Sequence, residues 1–413
     1  MNVLLLGNGF DIHYKLPTQY ANFLNVVNFL MKSSSTKFET IGNVFSNAEL
    51  QRKDSFIKEC YEYHKESYDK VLIDNDKINE IINSAKDNLW FNFLSKSLDD
   101  KINWIDFEKE ITIVISAFES ALSTQFIFKS SKGRIVLQLH KQNKGVQYII
   151  NSFNFFIDVY ESHNYSSSES RVVKKEYCIE HPTYSGNITI DKEKIINYLV
   201  NELRDFEEIL KKYLHCFVES SFESLCKSGN CKQIDIFTKI DKTITFNYTN
   251  TFEKIYSKNS LFHIHGNVKN RIILGVNSNE SDNLEKIDTS FISFKKYFQR
   301  AMLETDNNYI QWLKDIVDSK TEYRLITMGH SLDETDKDII ENVFTYANEI
   351  VVLYHNDVAK MSYIRNLVKI FGKDGFNSLR NRLTFLSTNT DFSEYIEKIE
   401  KEKYDSLIKT LSY

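Results

Sequence analysis

Residues 2–11, NVLLLGNGFD, are the stretch that decides the fold. Residues 2–6 form one largely apolar run, and the run stops at Gly7. A short run of this kind is typical of a strand buried on both faces, as in a parallel sheet covered by helices. The sequence therefore predicts a buried first strand that leads into a glycine turn. Thr18 is the predicted N-cap of the helix that follows.

Short apolar runs return after residue 233, and helical patterns separate several of them. Strands that alternate with helices indicate a wound α/β fold with a mostly parallel sheet. We expect the first strand to pair with these later strands. They are predicted at IDIF (234–237), TITF (243–246), LFHIH (261–265), RIIL (271–274), RLITM (324–328), EIVVLY (349–354) and LTFL (383–386).

The intervening chain has the apolar periodicity of helices. We therefore divide the protein into an α/β core, residues 1–36 and 233–413, and a largely helical insertion, residues 37–232. Within the insertion, residues 163–187 break the helical pattern. They are predicted to form a surface loop with a short strand at residues 172–178.

Composition excludes several classes of protein. The chain has 413 residues, 42% of them apolar, with twelve glycines and two prolines. These values exclude a disordered chain and a proline-rich linker, and they argue against a turn-dense β-sandwich. No apolar run approaches the roughly 18 residues of a membrane span, and no basic leader or cleavage site of a secretory signal is seen.

Net charge and cysteine content narrow the expected ligands and the expected cellular compartment. The net charge of -5 does not favour a general nucleic-acid surface. The five cysteines include no CxxC pair, so no bound metal is expected. Free thiols favour a reducing environment, and we expect a cytoplasmic protein.

The first candidate site is the turn Gly7-Asn8-Gly9-Phe10-Asp11, between the buried strand and a helix. Glycines let a backbone approach a phosphate closely, and a helix N-terminus adds N–H donors and a positive dipole end. The same glycines also suit a tight turn without any ligand. The full dinucleotide-binding pattern G-x-G-x-x-G is not met, because position 12 is isoleucine.

Polar residues stand at the ends of three later strands, and each has an ordinary structural explanation when taken alone. Such residues close strands, cap helices or fill cores. The carboxyl ends of neighbouring parallel strands form one crevice, however, where these sheets bind ligands. The candidates are Thr245 and Asn247 in TFNYT (245–249), His265 and Gly266 in HIHG (263–266), and Gly329, His330, Ser331 and Asp336 in the segment 328–336.

The histidine pair in HIHG suggests two kinds of chemistry. In a strand, His263 and His265 would share one face. His265 is the better site candidate because it stands beside a glycine at the strand end, and imidazole is a general base near neutral pH. A metal site is not favoured, since no third ligand is near in sequence.

Several segments together resemble the AbiH family of abortive-infection proteins, which act in phage defence. GNGFDIHYKLPTQY (7–20) resembles the family's opening. The family's later motifs are matched, in order, by WIDFEKEI (104–111), FNYTNTFE (246–253), HIHG (263–266) and MGHSLDETD (328–336). The resemblance spans nearly the whole chain and implies a role in phage defence. A phage-derived trigger and homo-oligomer formation are further expectations.

AbiH proteins in turn resemble, more distantly, the sirtuin-like NAD-binding superfamily, which has a Rossmann-like sheet. Gly7, Gly9 and Pro17 keep the spacing of the sirtuin opening. Asn247 and His265 match the sirtuin asparagine and the catalytic histidine. The resemblance implies a sirtuin-like fold with NAD as its ligand.

Two residues depart from the sirtuin pattern. Asp11 stands where sirtuins have serine, and Thr249 stands where they have aspartate. The four-cysteine zinc module of sirtuins is also missing from the sequence, which argues against protein deacetylation. Sirtuin-like defence proteins instead tend to hydrolyse NAD to nicotinamide and ADP-ribose, so NAD is the expected substrate.

The resemblance also implies roles for individual residues. Asn247 would orient the water or the ribose hydroxyls, His265 would act as a general base or proton relay, and Asp11 would offer negative charge to the ribose cation. The residues expected to hold the nucleotide are Gly7, Asn8, Gly9, Phe10, Thr245, Gly266, Gly329, His330, Ser331 and Asp336.

Two other functions stay open at this stage. One is a nucleotide-binding sensor without turnover, and the other is a nuclease or nucleotidase toxin. A nuclease would need clustered carboxylates for a divalent metal, whereas the acidic residues here are mostly scattered. Trp104 is expected to be a core residue and Asp106 a helix cap, while the role of Glu108 is left open.

Overall fold

The computed structural model describes most of the chain as an α/β protein. The residues described are 1–33, 37–99, 105–122, 127–129, 135–137, 144–163, 166–180, 188–227, 229, 231–258, 260–277 and 289–390, with the single residues 392, 395, 397 and 401.

The strands are numbered in chain order. They are β1 (Asn2–Leu6), β2 (Ile127–Lys129), β3 (Ile135–Leu137), β4 (Phe156–His163), β5 (Ser166–Val173), β6 (Cys178–Glu180), β7 (Ile188–Ile190), β8 (Lys242–Thr245), β9 (Leu261–His263), β10 (Arg324–Met328), β11 (Glu349–Tyr354) and β12 (Leu383–Ser387).

The α-helices are numbered in the same way. They are α1 (Gly9–His13), α2 (Tyr20–Lys32), α3 (Ile41–Phe45), α4 (Ala48–Lys53), α5 (Ser55–Tyr68), α6 (Asn75–Asp87), α7 (Leu89–Asp99), α8 (Phe107–Ala121), α9 (Lys144–Ser152), α10 (Lys192–Leu214), α11 (Phe222–Lys227), α12 (Asp235–Thr238), α13 (Thr251–Tyr256), α14 (Lys296–Leu303), α15 (Asn307–Ser319), α16 (Lys337–Tyr346) and α17 (Asp357–Leu379).

Six strands form the central sheet, in the order β12-β11-β10-β1-β8-β9, and every pairing in it is parallel. From β1 the chain adds strands outward through β8 and β9, then returns to the other side of β1 with β10. This is the strand order of a doubly wound α/β sheet. The direction of winding reverses between β1 and β10. In such sheets the crevice at the carboxyl ends of these two strands is the ligand site.

Alternate residues of β1 enter two different cores, because successive side chains of a strand point to opposite faces. Val3 and Leu5 pack with apolar residues of α15, α16 and α17. Leu4 and Leu6 pack in a cluster with α2 of the core and with α10 and other helices of the insertion. The insertion therefore shares one apolar core with the sheet, and β1 is buried on both faces as its sequence predicts.

Two of the predicted strands are wrong. Residues 234–237 (IDIF) lie mostly in the short helix α12, which buries Ile236 and Phe237. Residues 271–274 (RIIL) form no strand, and Ile272 makes only an isolated bridge to Gly266. Both runs have four residues, and apolar runs this short do not distinguish a strand from a buried turn of helix or an irregular segment.

The insertion contains strands as well as helices. Strands β2, β3, β5 and β4 form an antiparallel sheet, and β6 pairs with β7. The loop predicted at residues 163–187 instead includes β5 and β6 in its described part, while residues 164–165 and 181–187 lie outside the described residues. β5 begins SSSES, which lacks the apolar alternation that would have predicted it.

The predicted N-cap of α2 is also one residue off. The cap is Gln19, whose side chain shares a capping box with Asn22. The Thr18 hydroxyl donates instead to Asn8 Oδ1, at 2.6 Å. Thr18 therefore ties the β1–α1 turn to the start of α2.

Candidate functional site

A cavity of about 920 Å³ lies at the carboxyl ends of the central strands, where the winding of the sheet reverses. It brings together polar residues from all four segments that the sequence singled out. The predicted residues that line it are Gly7, Asn8, Gly9, Asp11, Asn247, His265, Gly329, His330, Ser331 and Asp336.

Three glycines at one wall of the cavity pack against each other. The Gly7 N–H donates to the Met328 carbonyl at 3.1 Å, and the Gly9 N–H donates to the Gly329 carbonyl at 2.8 Å. A Cβ on Gly9 would lie 2.6 Å from Gly329 Cα. Gly329 has φ +72°, and its own Cβ would lie 2.3 Å from the Phe10 nitrogen. The glycines therefore serve first to let the turns after β1 and β10 interlock.

The N-terminus of α1 differs from the expected anion site. The Gly9 N–H donates to the Gly329 carbonyl, and the Phe10 N–H donates to the Gly7 carbonyl at 2.9 Å. Since these two donors are occupied, they are not free for a phosphate. α1 itself has only five residues. Two N–H groups at this helix N-terminus are therefore paired within the protein.

Asp11 is buried at the base of the cavity, with 1% of its surface exposed. Its Oδ2 accepts a hydrogen bond from the Thr249 hydroxyl at 2.6 Å, and Thr251 donates to Thr249. Within the described part of the chain, Asp11 Oδ1 is buried without a hydrogen-bond partner. Burial raises the pKa of Asp11 to about 7, although hydrogen bonds from the Thr249 and Thr251 hydroxyls lower it. The carboxyl therefore titrates near neutral pH.

Asn247 follows β8 and is 7% exposed. Its backbone is fixed on both sides, because its N–H donates to Thr245 Oγ1 at 3.1 Å and its carbonyl contacts His263 Nδ1 at 3.1 Å. Its side-chain Oδ1 is buried and has no partner among the described residues. The backbone thus fixes a residue of the cavity lining whose buried amide oxygen has no hydrogen-bond partner among the described residues.

The two histidines of HIHG do not share a face. β9 ends at His263, which contacts Glu253 Oε1 at 2.8 Å through Nε2. His265 lies beyond the strand, in the turn that Gly266 completes at φ +73°. The prediction that both histidines belong to one strand face is therefore wrong, and only His265 enters the cavity.

His265 and His330 both approach Asp336. His265 Nε2 lies 3.1 Å from Asp336 Oδ1, close enough for attraction although not aligned for a hydrogen bond. His330 accepts at Nδ1 from the Leu332 N–H and presents Nε2 to Asp336 Oδ2 at 3.3 Å. The ring of Phe246 packs against both imidazoles. Asp336 therefore organises the histidines and makes no side-chain cap for α16.

Sequence reasoning missed Lys296, a buried lysine that connects the insertion to this group. Its Nζ lies 2.6 Å from Glu108 Oε1 and 2.9 Å from Asp336 Oδ1. These two carboxylates raise the pKa of Lys296 against the opposing effect of burial, while Lys296 contributes to a pKa of Asp336 well below its usual range. Lys296 is one of several lysines in its segment, and nothing in the sequence distinguishes it.

The structure places Glu108 in the lining of the cavity. Asp106 N-caps α8 by accepting from the Lys109 N–H at 3.1 Å, which confirms the predicted cap. Trp104 lies outside the described residues. The cap fixes where α8 begins, and the first turn of α8 then carries Glu108 to the cavity.

Three predicted contact residues do not line the cavity. Phe10 is fully buried against Tyr14 and Phe252. Thr245 is buried behind the site, where its hydroxyl accepts from the Asn247 N–H. Gly266 borders a second cavity.

Burial also affects His265 strongly. Burial, with a further contribution from the charge of Lys296, lowers the pKa of His265 to about 4, and Asp336 only partly opposes this. The imidazole is therefore neutral near pH 7. A neutral imidazole can accept a proton or a hydrogen bond, but a pKa this low makes it a weak base.

Among the residues described above, no helix is long and apolar enough to cross a membrane. No group of three or more His, Cys, Asp or Glu side chains among them is placed to hold a metal ion.

Fold and cavity define a doubly wound α/β protein with a polar crevice at the switch point of its sheet. The sequence model of the family described as "Bacteriophage abortive infection AbiH" matches residues 3–355. The chain belongs to the AbiH family, and family membership points to a role in abortive infection by bacteriophage. No curated protein matches the chain. No solved structure matches it either.

Proposed function

We propose that this AbiH protein binds NAD in the cavity and hydrolyses the bond between nicotinamide and ribose during phage infection. NAD is the substrate, and its loss would starve the infected cell. We place the reaction in the cytoplasm, where NAD is available and free cysteines persist. The proposal includes a sirtuin-like relationship for the α/β core.

One observation carries the proposal: three residues that line the cavity each carry a buried polar atom without a partner among the described residues. Asp11 Oδ1, Asn247 Oδ1 and Glu108 Oε2 are all buried and unpartnered among the described residues. All three residues line the same cavity. A buried polar atom without a partner costs about 1–3 kcal/mol, so several at one site favour a ligand that completes them.

The two departures from the sirtuin pattern also support it. Asp11 replaces a serine and Thr249 replaces an aspartate, and their side chains hydrogen-bond to each other at 2.6 Å. Sirtuins have the hydroxyl at the first of these two positions and the carboxyl at the second, whereas this chain has the carboxyl first and the hydroxyl second. The exchange leaves the carboxyl of Asp11 in the first turn of α1, in the lining of the cavity.

The bond to nicotinamide already carries a good leaving group, so the protein has to stabilise a ribose cation and direct a water to it. Asn247 Oδ1 would orient the ribose or the water. Asp11, when ionised, would stabilise the cation. His265, which is neutral, would accept a hydrogen bond from a ribose hydroxyl and relay its proton.

The test is incubation of the purified protein with NAD and separation of the products by chromatography. The wild type is expected to release nicotinamide and ADP-ribose in equal amounts. Asn247→Ala and His265→Ala should each lower the rate by at least about 100-fold while keeping the wild-type circular dichroism. Asn270→Ala, an exposed residue outside this cavity, is the control and should retain full activity.

The variants also separate an enzyme from a sensor. Wild-type rates in both cavity variants would show that the site is wrong. Saturable NAD binding without nicotinamide release, in protein from uninfected and infected cells, would instead identify a nucleotide sensor.

A further inference from the structure

We propose that Glu108, supplied by the insertion helix α8, is the general base that activates the hydrolytic water. The assignment rests on the proposed NAD hydrolysis and names the residue that performs its proton transfer. The role of general base passes from His265 to the carboxyl of Glu108. One oxygen of this carboxyl is held by Lys296, and the other has no partner among the described residues.

The geometry of Glu108 suits this task. Lys296 Nζ holds Oε1 at 2.6 Å and is itself fixed by Asp336 at 2.9 Å. Oε2 is buried, unpartnered among the described residues, and belongs to a residue of the cavity lining. One oxygen thus fixes the orientation of the carboxyl, while the other has no protein partner among the described residues and would accept a hydrogen bond from the hydrolytic water. Accurate placement of a base is the first requirement for proton transfer.

The basicities point the same way. Burial, opposed mainly by Lys296, raises the pKa of Glu108 to about 7. A general base works best when its pKa lies near the operating pH. His265, with its pKa lowered to about 4, accepts a proton far less readily. The titratable and charged groups that act on Glu108 are Lys296 from α14, Asp336 from the turn before α16, Asp106 at the cap of α8, Tyr20 from α2 and Tyr248 from the segment after β8.

The step balances without any further reactant. The bond between ribose C1′ and the nicotinamide nitrogen breaks, and its electron pair leaves with the nitrogen. Nicotinamide departs as a neutral base because the pyridinium was positively charged. The water oxygen bonds to C1′, and its proton passes to Glu108 Oε2 and then to solvent. The products are ADP-ribose, nicotinamide and one proton.

Glu108→Gln is the primary variant, since the amide oxygen can still accept from Lys296. We expect kcat for nicotinamide release to fall by about 10²–10⁴-fold, with NAD binding changed only a few-fold. The rise of the rate with pH near 7 should change in this variant. Glu119→Gln, an exposed glutamate on the same helix, is the matched control and should behave as wild type.

Chemical rescue distinguishes a base from a structural residue. Azide attacks without losing a proton, so sodium azide should restore nicotinamide release in Glu108→Gln and in Glu108→Ala. Mass spectrometry should then detect ADP-ribosyl azide. Azide should not rescue His265→Ala.

Each outcome is decisive. Full activity of Glu108→Gln, or a loss that azide does not restore, overturns the role of Glu108 and leaves NAD hydrolysis standing. Azide rescue of His265→Ala alone would return the base to that histidine. A wild-type protein without nicotinamide release, whether from uninfected or infected cells, overturns both proposals.

Discussion

Asp11 links the cavity to pH through the stability of the protein. Its pKa is about 7 in the folded state against an ordinary value of 3.8. Between these values the folded protein holds a proton that the unfolded chain has released. Stability therefore falls as pH rises from about 4 to about 7, and is flat above that range. The full effect is bounded by roughly 1.4 kcal/mol for each pKa unit.

Asp11→Asn tests this linkage. The amide cannot ionise, and its oxygen can still accept from Thr249. We expect the variant to be more stable than wild type at pH 8, by roughly 1–4 kcal/mol, and to show a smaller decline between pH 4 and pH 7. Urea unfolding across that range measures both. Asp76→Asn, at an exposed residue, should keep the wild-type slope, and an Asp11→Asn protein with that same slope would contradict the assignment.

Single residues also show what sequence can reveal about a site. Asn247 and Asp11 come shortly after predicted strands and His265 ends one, so the parallel topology already placed them at one edge. Lys296 and Glu108 lie on helices that come from distant parts of the chain. Their contact depends on how α8 and α14 pack against the sheet, and no local pattern encodes that packing.

The interlocked turns after β1 and β10 are the element that shapes the cavity wall. The glycines of Gly7-x-Gly9 were predicted to approach a phosphate, yet the space beside them is filled by the backbone of Gly329 and His330. Sequence identified the need for glycine there. It could not identify the neighbour, because that neighbour lies about 320 residues away along the chain.

Gly329→Ala tests the interlock. The substitution combines a positive φ with a close contact to the Phe10 nitrogen, so we expect a loss of roughly 2–4 kcal/mol in unfolding free energy. Gly372→Ala is the control for backbone strain alone, because Gly372 has φ +67° and ψ 173°, a region almost confined to glycine, with open space around it. It should lose about 1–3 kcal/mol, less than Gly329→Ala, which adds the close contact. Equal losses in chemical denaturation would contradict the close packing.

The strand predictions were correct for runs that are buried on both faces in the middle of the sheet, and wrong for two short runs outside it. β1, β10 and β11 are buried runs of five or six residues in the middle of the sheet, and their apolar character follows from burial on both faces. IDIF and RIIL are also mostly apolar, but they lie outside the sheet. Their structure is set by neighbours in space, which an apolar run of four residues does not specify.

At the scale of the whole molecule, the helical insertion contributes residues to the lining of the cavity. Its α10 supplies Leu210 and Leu214 to the cavity wall, and its α8 supplies Glu108. The buried charges of Glu108 and Lys296 fix this helix to the core. A displacement of α8 or α10 would therefore change the lining of the cavity.

The central claim is that NAD is hydrolysed in this cavity during abortive infection. Its most direct test is the NAD concentration in infected cells that carry either the wild-type protein or Asn247→Ala, for a phage that the wild type restricts. NAD should fall before lysis in wild-type cells, with nicotinamide and ADP-ribose rising together. It should stay at its uninfected level in the variant, which should also lose protection. Protection by the wild type at constant NAD would contradict the claim.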